Sequence, residues 1–142
     1  MSNTKRLEDN DRCFACGSKK PIGLRMEVSF EDGVASATVT LKKDHQGWKG
    51  VAHGGIVSTL MDEVMAHAVI RTAGTGVTGS IDIRFRAPVP IEVPLRAEGR
   101  VENARGQVAI TSARLLLEET GEVLAEAKGR FVLQSGSGED DS

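Results

Sequence analysis

The residues best able to do chemistry in this chain stand close together: His53-Gly54-Gly55, an apolar run, then Asp62-Glu63. Two glycines at a helix start leave the N–H groups of the first turn unscreened, and those groups have no acceptor within the helix. Such a start receives a carbonyl oxygen or an anion. The two carboxylates sit in a segment that is otherwise mostly apolar from Ile56 to Ile70. Burial raises a carboxyl's proton affinity, so a carboxylate in such surroundings can take a proton from water.

Spacing separates the two acids. At about 100° per residue, Gly55 and Asp62 return to the same side of a helix, whereas His53 projects to a different one. Glu63 falls instead on a stripe with Thr59, His67 and Arg71, the pattern of a polar edge or an ion pair. Position therefore favours Asp62 over Glu63 as the working carboxylate. Taken alone, a His-Gly-Gly is often a plain turn and a buried Asp is often a partner to an Arg. The combination of a donor-rich start and a carboxylate on one side of one helix points to a site.

The elements that hold these groups follow from periodicity. Residues 55–70 read as a core helix packed on most sides. Ahead of it, Leu24, Met26, Val28 and Phe30 alternate with polar residues, Glu31-Asp32-Gly33 turns the chain, and Ala35, Ala37, Val39 and Leu41 alternate again, which predicts a hairpin. Behind it, strands are expected over about 78–87, 93–104, 107–118 and 122–133, broken by Pro88 and Pro90, by Asn103–Gly106 and by Glu119–Gly121. The order β-β-α-β-β-β-β is that of an α+β fold, a mainly antiparallel six-stranded sheet wrapped around one long helix. Free sheet edges in such a fold favour oligomers.

A chain of 142 residues supplies one domain and one core. That domain is expected over 13–134, between a flexible polar start at 1–12 and a disordered acidic tail at 135–142. Net charge of −2 gives no electrostatic reason to bind nucleic acid or an anionic membrane. With no long apolar run and no apolar signal core at the start, the expectation is a cytoplasmic protein. Cys13 and Cys16 have the spacing of zinc knuckles and of redox pairs, but two ligands do not complete a zinc site. A metal there would need a second copy of the chain, or His45, His53 or His67; a structural thiol pair is the favoured reading. Neither metal nor cofactor is assigned.

The residues Cys-Phe-Ala-Cys-Gly, His45-Gln-Gly-Trp48-Lys-Gly50-Val-Ala-His53-Gly-Gly55, Leu60-Met-Asp62-Glu63 and Ile83-Arg-Phe-Arg-Ala-Pro88 resemble the hotdog-fold acyl-CoA thioesterases, in the branch related to the phenylacetate-pathway thioesterase. The resemblance implies a hotdog fold and hydrolysis of an acyl-CoA. It further implies that the Gly55 N–H polarises the thioester carbonyl while Asp62 of a partner subunit serves as general base or nucleophile. Thr78 would help to hold the water, and His53 would position the loop or the carbonyl. The working unit would be a homodimer or a dimer of dimers with sites at the interface.

Gly54, Glu63, Trp48 and Gln46 join this set as substrate-binding candidates. Gln46 enters because Gly47 stands where many relatives carry Asn or another polar residue. Lys49, Arg84, Arg86 and Arg105 are cations that could meet coenzyme A phosphates or be ordinary solvated charges. One inconsistency needs a structural answer. On the strand after the helix, Ile81, Ile83 and Phe85 share the inward parity, whereas Thr78 shares the outward parity of Ser80, Asp82, Arg84 and Arg86; a bulge at Gly79 would reconcile them. A non-catalytic acyl-CoA or acyl-carrier binding module is the alternative function, and a hydratase lacks its Asp-His-Asn signature.

Overall fold

The computed structural model describes residue 24 and residues 26–134. The thiol pair Cys13 and Cys16, the start at 1–12 and the tail at 135–142 lie outside the described residues. Strands β1 (Ser29–Glu31) and β2 (Val34–Thr40) lead to a short 3-10 turn at Lys43–His45, then to β3 (Gln46–Trp48) and β4 (Val51–Ala52). Helix α1 (Gly54–Thr72) follows, and then β5 (Gly76–Phe85), β6 (Pro94–Arg105), β7 (Val108–Leu117) and β8 (Val123–Leu133). Six strands form one antiparallel sheet in the order β1-β2-β6-β7-β8-β5, around the single long helix. This is the architecture the sequence pattern calls for.

Two local differences have physical causes. The first strand is shorter than its alternation suggests: Leu24 and Met26 are buried, yet only Ser29–Glu31 pair with a neighbour. Apolar burial does not require a ladder. The ribbon of β3 and β4 has no periodic signal because its strands are three and two residues long. The hairpin turn is where expected, with Asp32 at φ 54° and Gly33 at φ 81°, the paired positive values of a turn matched to strand twist.

The helix departs more from its reading. Val57, Leu60, Met61, Val64, Met65, Ala68 and Val69 are buried, and they recur at three- and four-residue steps, so among the described residues α1 buries one face rather than most sides. That face lies on the concave side of the sheet against Leu95, Ala97, Leu115 and Phe131 in one continuous core. Close seating depends on Gly99 in β6: a Cβ there would stand 2.7 Å from the Val64 carbonyl carbon. The opposite side of α1 carries Asp62, Glu63, Ala66 and His67, all half-buried, and an exposed Ile70.

Strand β5 is a sheet edge, bonded only to β8. Its inward parity is as expected, but nothing among the described residues fully covers it: Phe85 is 52 % and Val77 42 % exposed, and Ile81 is also exposed. An apolar strand with one unpaired backbone edge is a place for another strand to add.

Candidate active site

The loop into α1 is built by backbone and imidazole contacts. His45 is buried, its Nδ1 accepts the Lys42 N–H at 3.0 Å, and its carbonyl accepts the His53 N–H at 2.8 Å. Gln46 Oε1 accepts the Gly50 N–H at 3.0 Å, closing the ribbon turn. Gly50, at φ 78°, turns the chain in a conformation that side chains disfavour. Ala52 is tied to Val89 across the site, its N–H donating to the Val89 carbonyl at 2.8 Å. These contacts fix where the helix begins.

His53 is the N-cap. In extended backbone conformation, it accepts the Gly55 N–H on Nδ1 at 2.9 Å, while its carbonyl receives the N–H groups of Ile56 and Val57. Among the described residues, the Gly54 N–H has no partner. An apolar depression of 430 Å³ opens beside Gly54, lined also by Val57, Phe85, Ala87, Pro88 and Val89, with Arg86 on its rim. The Phe85 ring passes close enough for a Cβ at Gly54 to touch it at 3.8 Å. Sequence reasoning missed this lining, because it depends on β5 and the proline segment folding over the helix start.

Asp62 lies two turns further along α1, about 10 Å from Gly55 by helix rise. Thr78 donates its hydroxyl to Asp62 Oδ1 at 2.6 Å. The expected bulge makes that possible. Register between β5 and β8 slips between Thr78 and Ser80, so Thr78 pairs with Phe131 while Ser80 pairs with Arg130. Phe131 is a core residue, and Thr78 therefore shares the helix-facing side with Ile81 and Ile83. Gly79 occupies the extra position.

Burial pushes the Asp62 carboxyl above its ordinary range; the Thr78 hydrogen bond pulls it back in part, and the Glu63 charge pushes it up again. No cation pairs with Asp62 among the described residues. Glu63 accepts from His67 Nε2 at 2.9 Å one turn on, the ion-pair stripe expected from spacing. The two adjacent acids thus have different partners.

The remaining candidates are dispersed. Gln46 is engaged with the ribbon turn, and Trp48 is 82 % exposed on the same ribbon; neither lines the depression. Arg86 is held by Glu126 at 2.6 Å. A larger concavity of 670 Å³ lies on the opposite, outer face of the sheet, where Arg84, Arg86, Arg100, Arg114 and Lys128 alternate with Asp82, Glu98, Glu102 and Glu126. Its charges largely neutralise one another, and it contains none of the groups near the helix start except Arg86. Among the described residues no cluster of His, Cys, Asp and Glu has the makings of a metal site.

Comparison with known proteins gives this geometry a context. The family model described as Thioesterase superfamily matches residues 49–124, more than half of the chain. Human acyl-coenzyme A thioesterase 13 is 24 % identical over 103 residues, covering 71 % of this chain and 74 % of that protein. Acyl-coenzyme A thioesterase THEM4 of Xenopus laevis is 22 % identical over 87 residues, 61 % of this chain but 39 % of the relative. The chain thus spans well under half the length of that relative. Among solved structures, the thioesterase superfamily protein RHA08564 superposes with a TM-score of 0.80 at 26 % identity, over 86 % of this chain and 60 % of that one. The PaaI protein of the E. coli phenylacetic acid degradation operon shares the fold, with a TM-score of 0.70 at 20 % identity over 75 % of this chain and 82 % of its own.

Proposed function

The chain belongs to the thioesterase superfamily, and from that premise we propose that it hydrolyses an acyl-CoA thioester to a free carboxylic acid and coenzyme A, using Asp62 as its carboxylate. The observation that carries this reading is Asp62 itself: lifted by burial, unpaired with any cation among the described residues, and oriented by Thr78 at 2.6 Å. Two of the relatives, named as acyl-coenzyme A thioesterases, support the substrate class.

In the general-base route, a water O–H proton passes to Asp62 as the water oxygen attacks the thioester carbon. The Thr78 hydrogen is already committed to Asp62 Oδ1, so its oxygen is left to accept a hydrogen bond from the water's other O–H. Charge moves to the carbonyl oxygen, which the helix start receives with the Gly54 and Gly55 N–H groups; one such donor is typically worth about 2.7–4 kcal/mol. Collapse of the tetrahedral intermediate breaks the C–S bond, and the thiolate of coenzyme A leaves with the proton. In the nucleophile route, Asp62 attacks the carbon directly and the C–S bond breaks to expel the coenzyme A thiolate; water then hydrolyses the mixed anhydride to the free acid and the Asp62 carboxylate, and the proton released goes to the thiolate or to solvent.

Roughly 10 Å separates Gly55 from Asp62 along one helix, more than one thioester group spans. That distance supports a dimer in which the helix start of one subunit works with Asp62 of its partner. The open, apolar edge of β5 supports it too, since pairing there would cover Phe85 and Ile81 beside Thr78. His53 holds the loop. Gln46 and Trp48, Glu63 and Gly54 remain the substrate-binding candidates, with Gly54 best supported by its free N–H and its place in the depression.

Incubation with a panel of acyl-CoAs of varied chain length and aryl substitution, in the presence of a thiol reagent, tests the reading. Thiol release is the expected result. Binding of the panel without release would favour the alternative, a non-catalytic acyl-CoA binding module.

A further inference from the structure

We infer that His53 is a displaceable placeholder for the thioester oxygen, occupying the Gly55 N–H until the substrate carbonyl replaces it. The inference rests on the reading of Gly55 as a carbonyl donor given above. Its own basis is the fit of the imidazole between two glycines. Nδ1 accepts the Gly55 N–H at 2.9 Å, and a Cβ at Gly55 would come within 3.1 Å of the same nitrogen. On its other side the ring and backbone face Gly47, where a Cβ would stand 3.2 Å from His53 Cα and 3.5 Å from Cβ and Cδ2. A side chain at either glycine would crowd the imidazole.

The donor thus has an acceptor of its own in the free protein. The residue supplying it is exposed, so it can rotate into solvent without leaving a buried polar group unpaired. The helix meanwhile keeps the His53 carbonyl as acceptor for the Ile56 and Val57 N–H groups. Departure of the ring therefore frees one N–H without unwinding the first turn. An incoming carbonyl exchanges one neutral hydrogen bond for another, and a thioester oxygen gaining negative charge binds the same N–H more strongly than a neutral imidazole does. Displacing the ring costs the same in the ground state and in the transition state, and only the stronger bond to the developing oxyanion favours the transition state. Gly47, unassigned by the sequence reading beyond its lack of a side chain, leaves the space that the docked ring and its backbone occupy.

Two coenzyme A analogues isolate the carbonyl. Acetonyl-dethio-coenzyme A keeps it, with a methylene in place of the sulfur; S-ethyl-coenzyme A lacks it. The ratio of their dissociation constants, by calorimetry, measures what the carbonyl contributes. In His53→Ala the competitor is gone, and the preference for the ketone should rise by about fivefold, the worth of one net neutral hydrogen bond. In Gly47→Ala the added methyl would stand 3.2 Å from His53 Cα and 3.5 Å from Cδ2, crowding the ring where it is docked, and the preference should rise, by less than in His53→Ala. This second variant keeps the imidazole and the cap, so it answers even if His53→Ala fails to fold. A preference unchanged or reduced in either variant overturns the placeholder. Equal binding of both analogues in the wild type and in His53→Ala alike overturns instead the assignment of Gly55 as carbonyl donor, and the placeholder with it.

Discussion

Two carboxylates on opposite sides of the same sheet meet opposite fates. Glu98, on the outer face, loses water to burial, which alone would raise it, but hydrogen bonds from Arg96 and Arg114 and their charges outweigh that and hold it below the ordinary range. Asp62, on the concave side, is raised by burial and receives only a neutral hydroxyl. Glu98 belongs to a row in which Arg84, Glu126, Arg114 and Glu98 stand opposite one another across β5, β8, β7 and β6. Such a row is built to be neutral in itself. A carboxylate left without a cation keeps its basicity available, and that contrast separates the proposed chemical face of this molecule from the charge-paired one.

The contrast can be broken from either side. Removing the lone carboxylate should have the largest effect: Asp62→Asn should lower kcat by about 10²–10⁴-fold, the usual worth of a positioned acid or base, while acyl-CoA still binds. The neighbouring Glu63→Gln should keep most activity, since Glu63 faces His67. The same Asp62→Asn change should not lower the thermal midpoint at neutral pH. A carboxyl raised in the folded state binds its proton more tightly there than when unfolded, so its ionisation opposes folding as pH rises through that range. A less stable Asp62→Asn protein would mean that the charge serves the fold.

Thr78→Ala should cost about tenfold in kcat, with KM moved little, because it removes a hydrogen bond to a charged group and leaves the carboxylate in place. Stopped-flow or steady-state thiol release checks it. Smallest is the outer face. Arg114→Ala takes one of two cations from Glu98, and with its side chain half exposed it should cost at most about 1 kcal/mol in denaturant unfolding and leave kcat unchanged. An activity loss there as large as that of Thr78→Ala would erase the distinction between the faces.

How much of this was legible in the sequence depends on the scale of the signal. The strands and the helix carry periods that survive reading, and turn residues such as Asp32-Gly33 mark their ends. The Asp62 side of the site was legible because helix spacing is rigid. Even the slip that brings Thr78 to Asp62 left a trace, a threonine of the wrong parity beside a glycine, and the register between β5 and β8 bears it out. What could not be read is whatever depends on neighbours remote in the chain. The depression is formed where Phe85 and the Pro88–Val89 segment fold over Gly54. The bond from Gly55 N–H to His53 is fixed by a side-chain rotamer, and composition does not encode rotamers. The expectation of a helix packed on most sides is met on one face alone among the described residues, for a related reason: apolar residues beyond that face, such as Ile70, are exposed there.

The pH dependence of acyl-CoA hydrolysis, measured beside the titration of the Asp62 carboxyl by NMR, tests most directly whether the lone carboxylate is the base. Because the working form is the anion and burial holds it above the ordinary aspartate range, the rate should fall on the acid side, with a midpoint above that range and in step with Asp62. A rate that stays flat while Asp62 takes up its proton would contradict the account.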